Sequence, residues 1–95
     1  DESLGFCSLD ISNRPFLIFK GEFTNQMIGG YDVSLTEEFF RAFAFNAGIT
    51  MHINMVYGAN DHHKCEAIFK AAAHALKLAV RELENGETLS TKGIL

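Results

Sequence analysis

Cysteine is scarce in this sequence. Its two residues, Cys7 and Cys65, are too few for a disulfide scaffold and suit a reducing compartment as buried thiols. No paired-thiolate motif occurs either, which argues against a structural zinc knot. Long apolar runs are missing, because His, Lys, Asn or Glu interrupts each one well short of a bilayer span, so a transmembrane helix is excluded. Basic side chains are in the minority. Eight Lys and Arg against twelve Asp and Glu leave a net charge of −4, a poor basis for nonspecific nucleic-acid binding. There is no internal repeat and no low-complexity stretch. No signal-peptide pattern or initiator Met is visible, and the abrupt opening Asp1-Glu2-Ser3-Leu4-Gly5-Phe6 leads us to expect a segment of a longer chain. What remains is globular composition, 47% apolar and 21% charged over 95 residues. That is one domain with a modest core.

Alternation of apolar residues predicts a strand over 3–12, with Leu4 and Phe6 on one face and Cys7, Leu9 and Ile11 on the other. Asn13-Arg14-Pro15 reads as a turn, since Asn tolerates the left-handed region and Pro fixes φ. Residues 15–19 form a second strand, and 3–19 together read as a hairpin. A polar loop over 20–33 ends in Gly29-Gly30. Residues 34–47 form a helix with Ser34 as candidate N-cap and Gly48 as C-cap. Its expected core stripe is Leu35, Phe39, Ala42 and Phe43. Phe40 and Phe45 then point elsewhere and call for a second burial surface on another domain or subunit. Residues 49–57 alternate cleanly, with His52 on the polar face between Thr50 and Asn54. After a turn at 58–60, where Asn60 or Asp61 can cap, the longest helix covers 62–84, and 85–95 form an exposed tail. The order ββαβα predicts a two-layer α+β unit over residues 1–95.

The chemistry concentrates at the start of the last helix. Ile68, Ala72, Ala75, Leu76, Ala79 and Leu83 make its apolar stripe. His62, Glu66, Lys70 and His74 recur every four residues away from the centre of that stripe. A His and a carboxylate at i, i+4 rise side by side and can grip one metal ion. His63 lies about 100° round the helix from His62, so it would serve a second ion. His52, on the strand before the helix, is a further candidate ligand. Imidazole with carboxylate suits zinc, manganese, iron or nickel. Taken alone, His-His-x-x-Glu is equally a polar first turn with Glu66 near the favourable end of the helix dipole, and a strand histidine is more often structural. Cys65 reads as core and His74 as surface. Arg14 at a turn can present a planar fork to phosphate. Ser90-Thr91-Lys92-Gly93 has phosphate-binding composition, although frayed tails share it.

Together, SLDISNRPFLIF, GGYDVSLTEEFFRAFAFNAGITMHI, YGANDHHKCEAIFKAAAHAL and the terminal STKG resemble the imidazoleglycerol-phosphate dehydratases of histidine biosynthesis. The resemblance covers essentially the whole chain. It implies the C-terminal half of an enzyme about twice as long, a duplicated fold in which each half carries a His-His-x-x-Glu helix. By that resemblance His62, His63 and Glu66 match the second-half metal motif and His52 the preceding strand histidine. Two manganese ions per site would be shared with the other half and with neighbouring subunits. Lys70 matches a lysine beside substrate and metal and joins Glu66 as a candidate catalytic residue. Arg14, Ser90 and Lys92 match residues that hold the substrate phosphate. The implied protein is cytoplasmic, binds a small phosphorylated substrate rather than nucleic acid or membrane, and assembles as a large symmetric homo-oligomer of about two dozen full-length chains. One departure is Asn13, where Gly is commoner before Arg-Pro. The larger one is the missing half, with its share of the ligands.

The implied reaction removes a carbon-bound proton and expels hydroxide. Metal ions would act as Lewis acids on the substrate imidazole, and remote phosphate binding would supply orientation. Two other readings compete: a metal-dependent hydrolase of a phosphorylated small molecule, with Glu37 and Glu38 as possible bases, and a metal-stapled assembly module. Arg14 and the STKG segment weigh against the last.

Overall fold

The structure, a computed structural model, describes residues 2–85. Its main sheet has three strands: β1 (Leu4–Asp10), β2 (Phe16–Lys20) and β5 (Thr50–Tyr57), in the order β1-β5-β2. Between β2 and the first helix lies a small hairpin of β3 (Met27–Ile28) and β4 (Tyr31–Asp32). The helices are α1 (Ser34–Ala47) and α2 (Asp61–Asn85). The mixed α+β class and the main ββαβα order agree with the sequence reading. The small hairpin within 20–33 was not expected, although Gly29 at its turn takes φ 59°, a region that glycine enters without steric cost.

The expected 3–19 hairpin is a correction. β1 and β2 do not pair with each other. β5 lies between them, antiparallel to β1 and parallel to β2. The reason is burial: Met51 and Ile53 of β5 are each only 1% exposed, and a strand with so apolar an inner row belongs at the centre of the sheet. The Asn13–Pro15 turn therefore crosses the end of β5. Its hydrogen bonds go to the chain entering β5, from Asn13 N–H to Gly48 O at 2.8 Å and from Phe16 N–H to Ile49 O at 3.1 Å. Asn13 takes φ 59° and Gly48 φ 69°, as the turn and C-cap readings required.

One face of the sheet is covered. Leu17, Met51 and Ile53 pack with Phe40 and Ala44 of α1 and Ile68 and Ala72 of α2, and Cys7, Leu9 and Phe19 lie against this cluster. At the start of β1 the chain runs close to α2, where a Cβ on Gly5 would sit 3.1 Å from the Ala67 carbonyl oxygen. The other face carries Phe6, Phe16, Ile18 and Val56, all exposed.

The phase of α1 is a second correction. Thr36, Phe40 and Ala44 are its buried residues, whereas Leu35 and Phe39 are exposed. Four phenylalanines in seven residues define no unique stripe, and the sheet selects the row containing Phe40. Phe45 is exposed as expected. The cap also differs. Val33 occupies the N-cap with no side-chain bond, and Asp32 Oδ1 instead accepts from the Ser34 N–H at 3.0 Å and the Ser34 hydroxyl at 2.8 Å. At α2 the expected cap is Asn60, whose Oδ1 accepts from His63 N–H at 3.1 Å. No helix of the described residues is long and apolar enough to cross a membrane.

Candidate functional site

The first turns of α2 carry the candidate metal ligands, and a buried pair fixes where those turns sit. Asp61, 6% exposed, accepts backbone N–H groups from Thr24 at 2.9 Å and Asn25 at 2.6 Å. Those two donors and the neighbouring Lys64 hold its carboxyl below the usual carboxylate range, with the Thr24 N–H contributing most and burial opposing. Lys64, also buried, donates to the Glu22 carbonyl at 3.1 Å and lies 3.4 Å from Asp61 Oδ1. Together they stitch the 22–25 loop to the helix start. Sequence reading offered Asp61 only as a cap and passed over Lys64. The one available signal was a charged pair at i, i+3 on the side of α2 that carries Ile68.

Four residues apart, His62 Nε2 and Glu66 Oε2 lie 3.9 Å from each other. Metal bonds from such donors run about 2.0–2.2 Å, so both atoms fall within the roughly 4 Å that two such bonds can span. The donor set therefore fits a two-point grip on one ion. Lys70 continues the row, with Nζ 3.5 Å from Glu66 Oε1. A groove of about 470 Å³ opens beside the pair, lined by Ile28, Tyr31, His62, Cys65, Glu66 and Phe69. Cys65, expected in the core, is half-buried in this wall, with its thiol 3.7 Å from the fully buried Thr36 hydroxyl. That hydroxyl in turn pairs with Tyr31 OH at 2.7 Å. Sequence reading missed Ile28, Tyr31 and Phe69, because the 20–33 loop gave no sign of folding back onto α2. Of the two acidic residues weighed on α1, Glu37 pairs with Arg41 at 2.7 Å. Glu38 lines a hollow that shares Tyr31 and Phe69 with the groove.

His63 diverges from His62. The two ring centroids are 6.2 Å apart and the planes 63° from parallel. His63 Nδ1 meets Glu2 Oε1 at 2.7 Å. This contact, with the Asn60 N–H and the Ser3 hydroxyl, draws the Glu2 carboxyl down to about 2, the imidazole contributing most.

Three other candidates lie elsewhere. His52 sits on β5 between the buried Met51 and Ile53 and is itself exposed. It therefore faces away from both helices and is not brought to His62 and Glu66 within one chain. Arg14 is exposed at the turn that crosses the start of β5. Its main chain is held from both sides, the N–H by Ser12 Oγ at 3.1 Å and the carbonyl by Thr50 Oγ1 at 2.8 Å. The α2 start follows the opposite end of β5, and eight extended residues separate the two ends by about 23 Å. Ser90 and Lys92 lie outside the described residues. Among the described residues no group of three or more His, Cys, Asp or Glu side chains converges on a possible ion.

Comparison with known proteins identifies the family of the chain. The model of the family Imidazoleglycerol-phosphate dehydratase matches residues 1–76. Relatives of that name include one from Clostridium kluyveri, 55% identical over 96 residues, with 100% of this chain and 50% of the relative covered. Another, from Lactococcus lactis, is 56% identical over 98 residues, covering 100% of this chain and 48% of the relative. The crystal structure of imidazoleglycerol-phosphate dehydratase from Staphylococcus aureus superposes with a TM-score of 0.81 at 47% identity, over 83% of this chain and 46% of that one. The Pyrococcus furiosus structure gives 0.72 at 38% identity, over 80% and 43%. The chain spans about half the length of the curated relatives it matches, a ratio that fits one half of a duplicated fold. On sequence across its whole length, and on structure across most of it, this chain belongs to the imidazoleglycerol-phosphate dehydratase family.

Proposed function

We propose that the complete protein is a di-metal hydro-lyase that dehydrates imidazoleglycerol phosphate to imidazoleacetol phosphate in histidine biosynthesis, with manganese as the metal. The observation that carries this reading is the His62–Glu66 pair, 3.9 Å apart beside a groove of small-molecule size, in a chain of this family. Bound manganese supplies Lewis acidity at the substrate imidazole.

The chain's own residues divide the remaining work. His62 and Glu66 hold one ion and His63 serves a second. Lys70 and Glu66, 3.5 Å apart on α2, act as the charged groups toward the reacting glycerol arm. Arg14 holds the substrate phosphate, with Ser90 and Lys92. The turn carrying Arg14 and the start of α2 lie at opposite ends of β5, a strand about 23 Å long, so one small substrate is not gripped by both within this chain. Each site therefore takes its phosphate grip and its metal grip from different copies or halves, and His52 on the open sheet face is offered to a site other than that of its own α2. This division favours a large symmetric homo-oligomer. The free thiols of Cys7 and Cys65 suit a reducing cytoplasm.

Stripping and reloading the complete protein tests the reading. Dehydratase activity should vanish with chelation and return with manganese, and His62→Ala should lose metal. Arg14→Ala should keep its manganese while raising KM, at a cost of about 2–5 kcal/mol in substrate binding. An Arg14→Ala protein that loses manganese yet binds phosphate normally contradicts the assignment.

A further inference from the structure

We infer that Tyr31 is a specificity-determining residue of the groove beside His62 and Glu66, its ring a fixed partition that limits the size of the substrate ring lying there; the inference rests on the reading above. Tyr31 and Phe69 line that groove of about 470 Å³, and the same two residues line a neighbouring hollow of about 500 Å³ together with Leu35, Glu38 and Phe39. The two spaces meet at these rings. The groove is otherwise walled by Ile28, Cys65 and the two candidate ligands, so a flat, weakly polar ring presented to His62 and Glu66 has aromatic surface beside it. Tyr31 is only half-buried and Phe69 is exposed, so neither ring is spent wholly on core packing.

Both rings are held. Phe69 packs on Phe39 and Phe40 of α1, with ring centroids 5.6 and 4.9 Å apart. Tyr31 is anchored at its tip, where its hydroxyl pairs at 2.7 Å with that of Thr36, fully buried in the first turn of α1. The Cys65 thiol of α2 lies 3.7 Å from the same Thr36 oxygen, so β4, α1 and α2 meet at one hydroxyl. The strand that carries Tyr31 is only two residues long, and a two-stranded ribbon is marginal by itself. Here the ribbon is clamped from outside. Before it, Asp61 accepts the Thr24 and Asn25 N–H groups, and across its base the Val33 N–H donates to the Gln26 carbonyl at 2.8 Å. A weak hairpin fastened at its base and at the tip of its one aromatic ring keeps that ring at a set distance from α2.

Calorimetric titration of the complete protein, supplied with manganese, tests the partition without any assay of turnover. The probes are imidazole and benzimidazole, the same ring enlarged by fusion, and manganese content is measured beside each titration. The wild type should bind imidazole more tightly than benzimidazole. Tyr31→Ala opens the groove into the neighbouring hollow and should shift that preference toward benzimidazole by about 10-fold or more, with manganese content unchanged. Tyr31→Leu, which keeps an apolar side chain on β4, should shift it the same way by less. Tyr31→Phe retains the ring and should keep the wild-type preference, while Leu35→Ala enlarges only the neighbouring hollow and should leave the preference unchanged. A wild type that binds both rings equally, or Tyr31→Ala and Tyr31→Leu proteins that keep its preference, overturns the inference and leaves the metal reading standing. So does a shift in Tyr31→Phe or Leu35→Ala as large as that in Tyr31→Ala, since the ring would then not be the partition. A wild-type protein that takes up no manganese overturns the metal reading and this inference together.

Discussion

The two faces of the three-stranded sheet differ sharply. On the covered face Leu17, Met51 and Ile53 are nearly sealed from water by Phe40, Ala44, Ile68 and Ala72. On the open face Phe6, Phe16 and Val56 are each about half exposed, and His52 stands among them. The covered face is a finished core, and it holds the start of α2 in place. The open face pairs an apolar surface with a candidate ligand that its own helix cannot reach. One side of the sheet fixes the fold, and the other stays open among the described residues.

Substitution on each face sharpens that contrast. Ile53→Ala should destabilise the protein by about 2–5 kcal/mol, since it leaves a cavity under both helices. Phe16→Ala in the 95-residue chain alone should change stability by only about 0.5 kcal/mol or less, because more than half of that ring is already in water. Equilibrium denaturation in urea compares the pair. A Phe16→Ala loss as large as that of Ile53→Ala would break the contrast.

A smaller effect concerns the start of α1. The Asp32 carboxyl lies below its ordinary 3.8, chiefly through the Ser34 N–H, then the Ser34 hydroxyl and Gln26. Its folded-state value is depressed, so its contribution is complete above the unfolded value and fades as pH falls through the folded one. The stability difference between wild type and Asp32→Asn should therefore be largest near neutral pH and shrink below about pH 4, measured as thermal midpoints across pH. A difference that grows on acidification would contradict the role given to Asp32.

Much of this molecule was legible in its sequence. The α1 span, the Gly48 cap, the Asn13 turn and the inner row of β5 follow from local patterns of period and backbone freedom. So does the side-by-side placement of His62 and Glu66, since helical spacing alone sets it. What local pattern could not supply was choice among neighbours. The Asn13–Pro15 turn looks the same whether its strands pair directly or admit β5 between them. The phenylalanines of α1 offered several stripes, and only the sheet decides which is buried. His52 is a different case. Alternation along β5 is enough to put it on the polar face, but only the placement of both helices on the opposite face shows that His52 and its own α2 do not meet within one chain. The Glu2–His63 contact, the Asp61 and Lys64 stitches and the Tyr31 wall join segments distant in sequence, and no spacing rule announces them.

Neighbouring histidines at the start of α2 are proposed to serve different ions. Anomalous difference maps at the manganese edge, from crystals of the complete protein, test it most directly. One peak should be contacted by His62 and Glu66, and a second, separate peak by His63. A single peak on which His62 and His63 converge would contradict it.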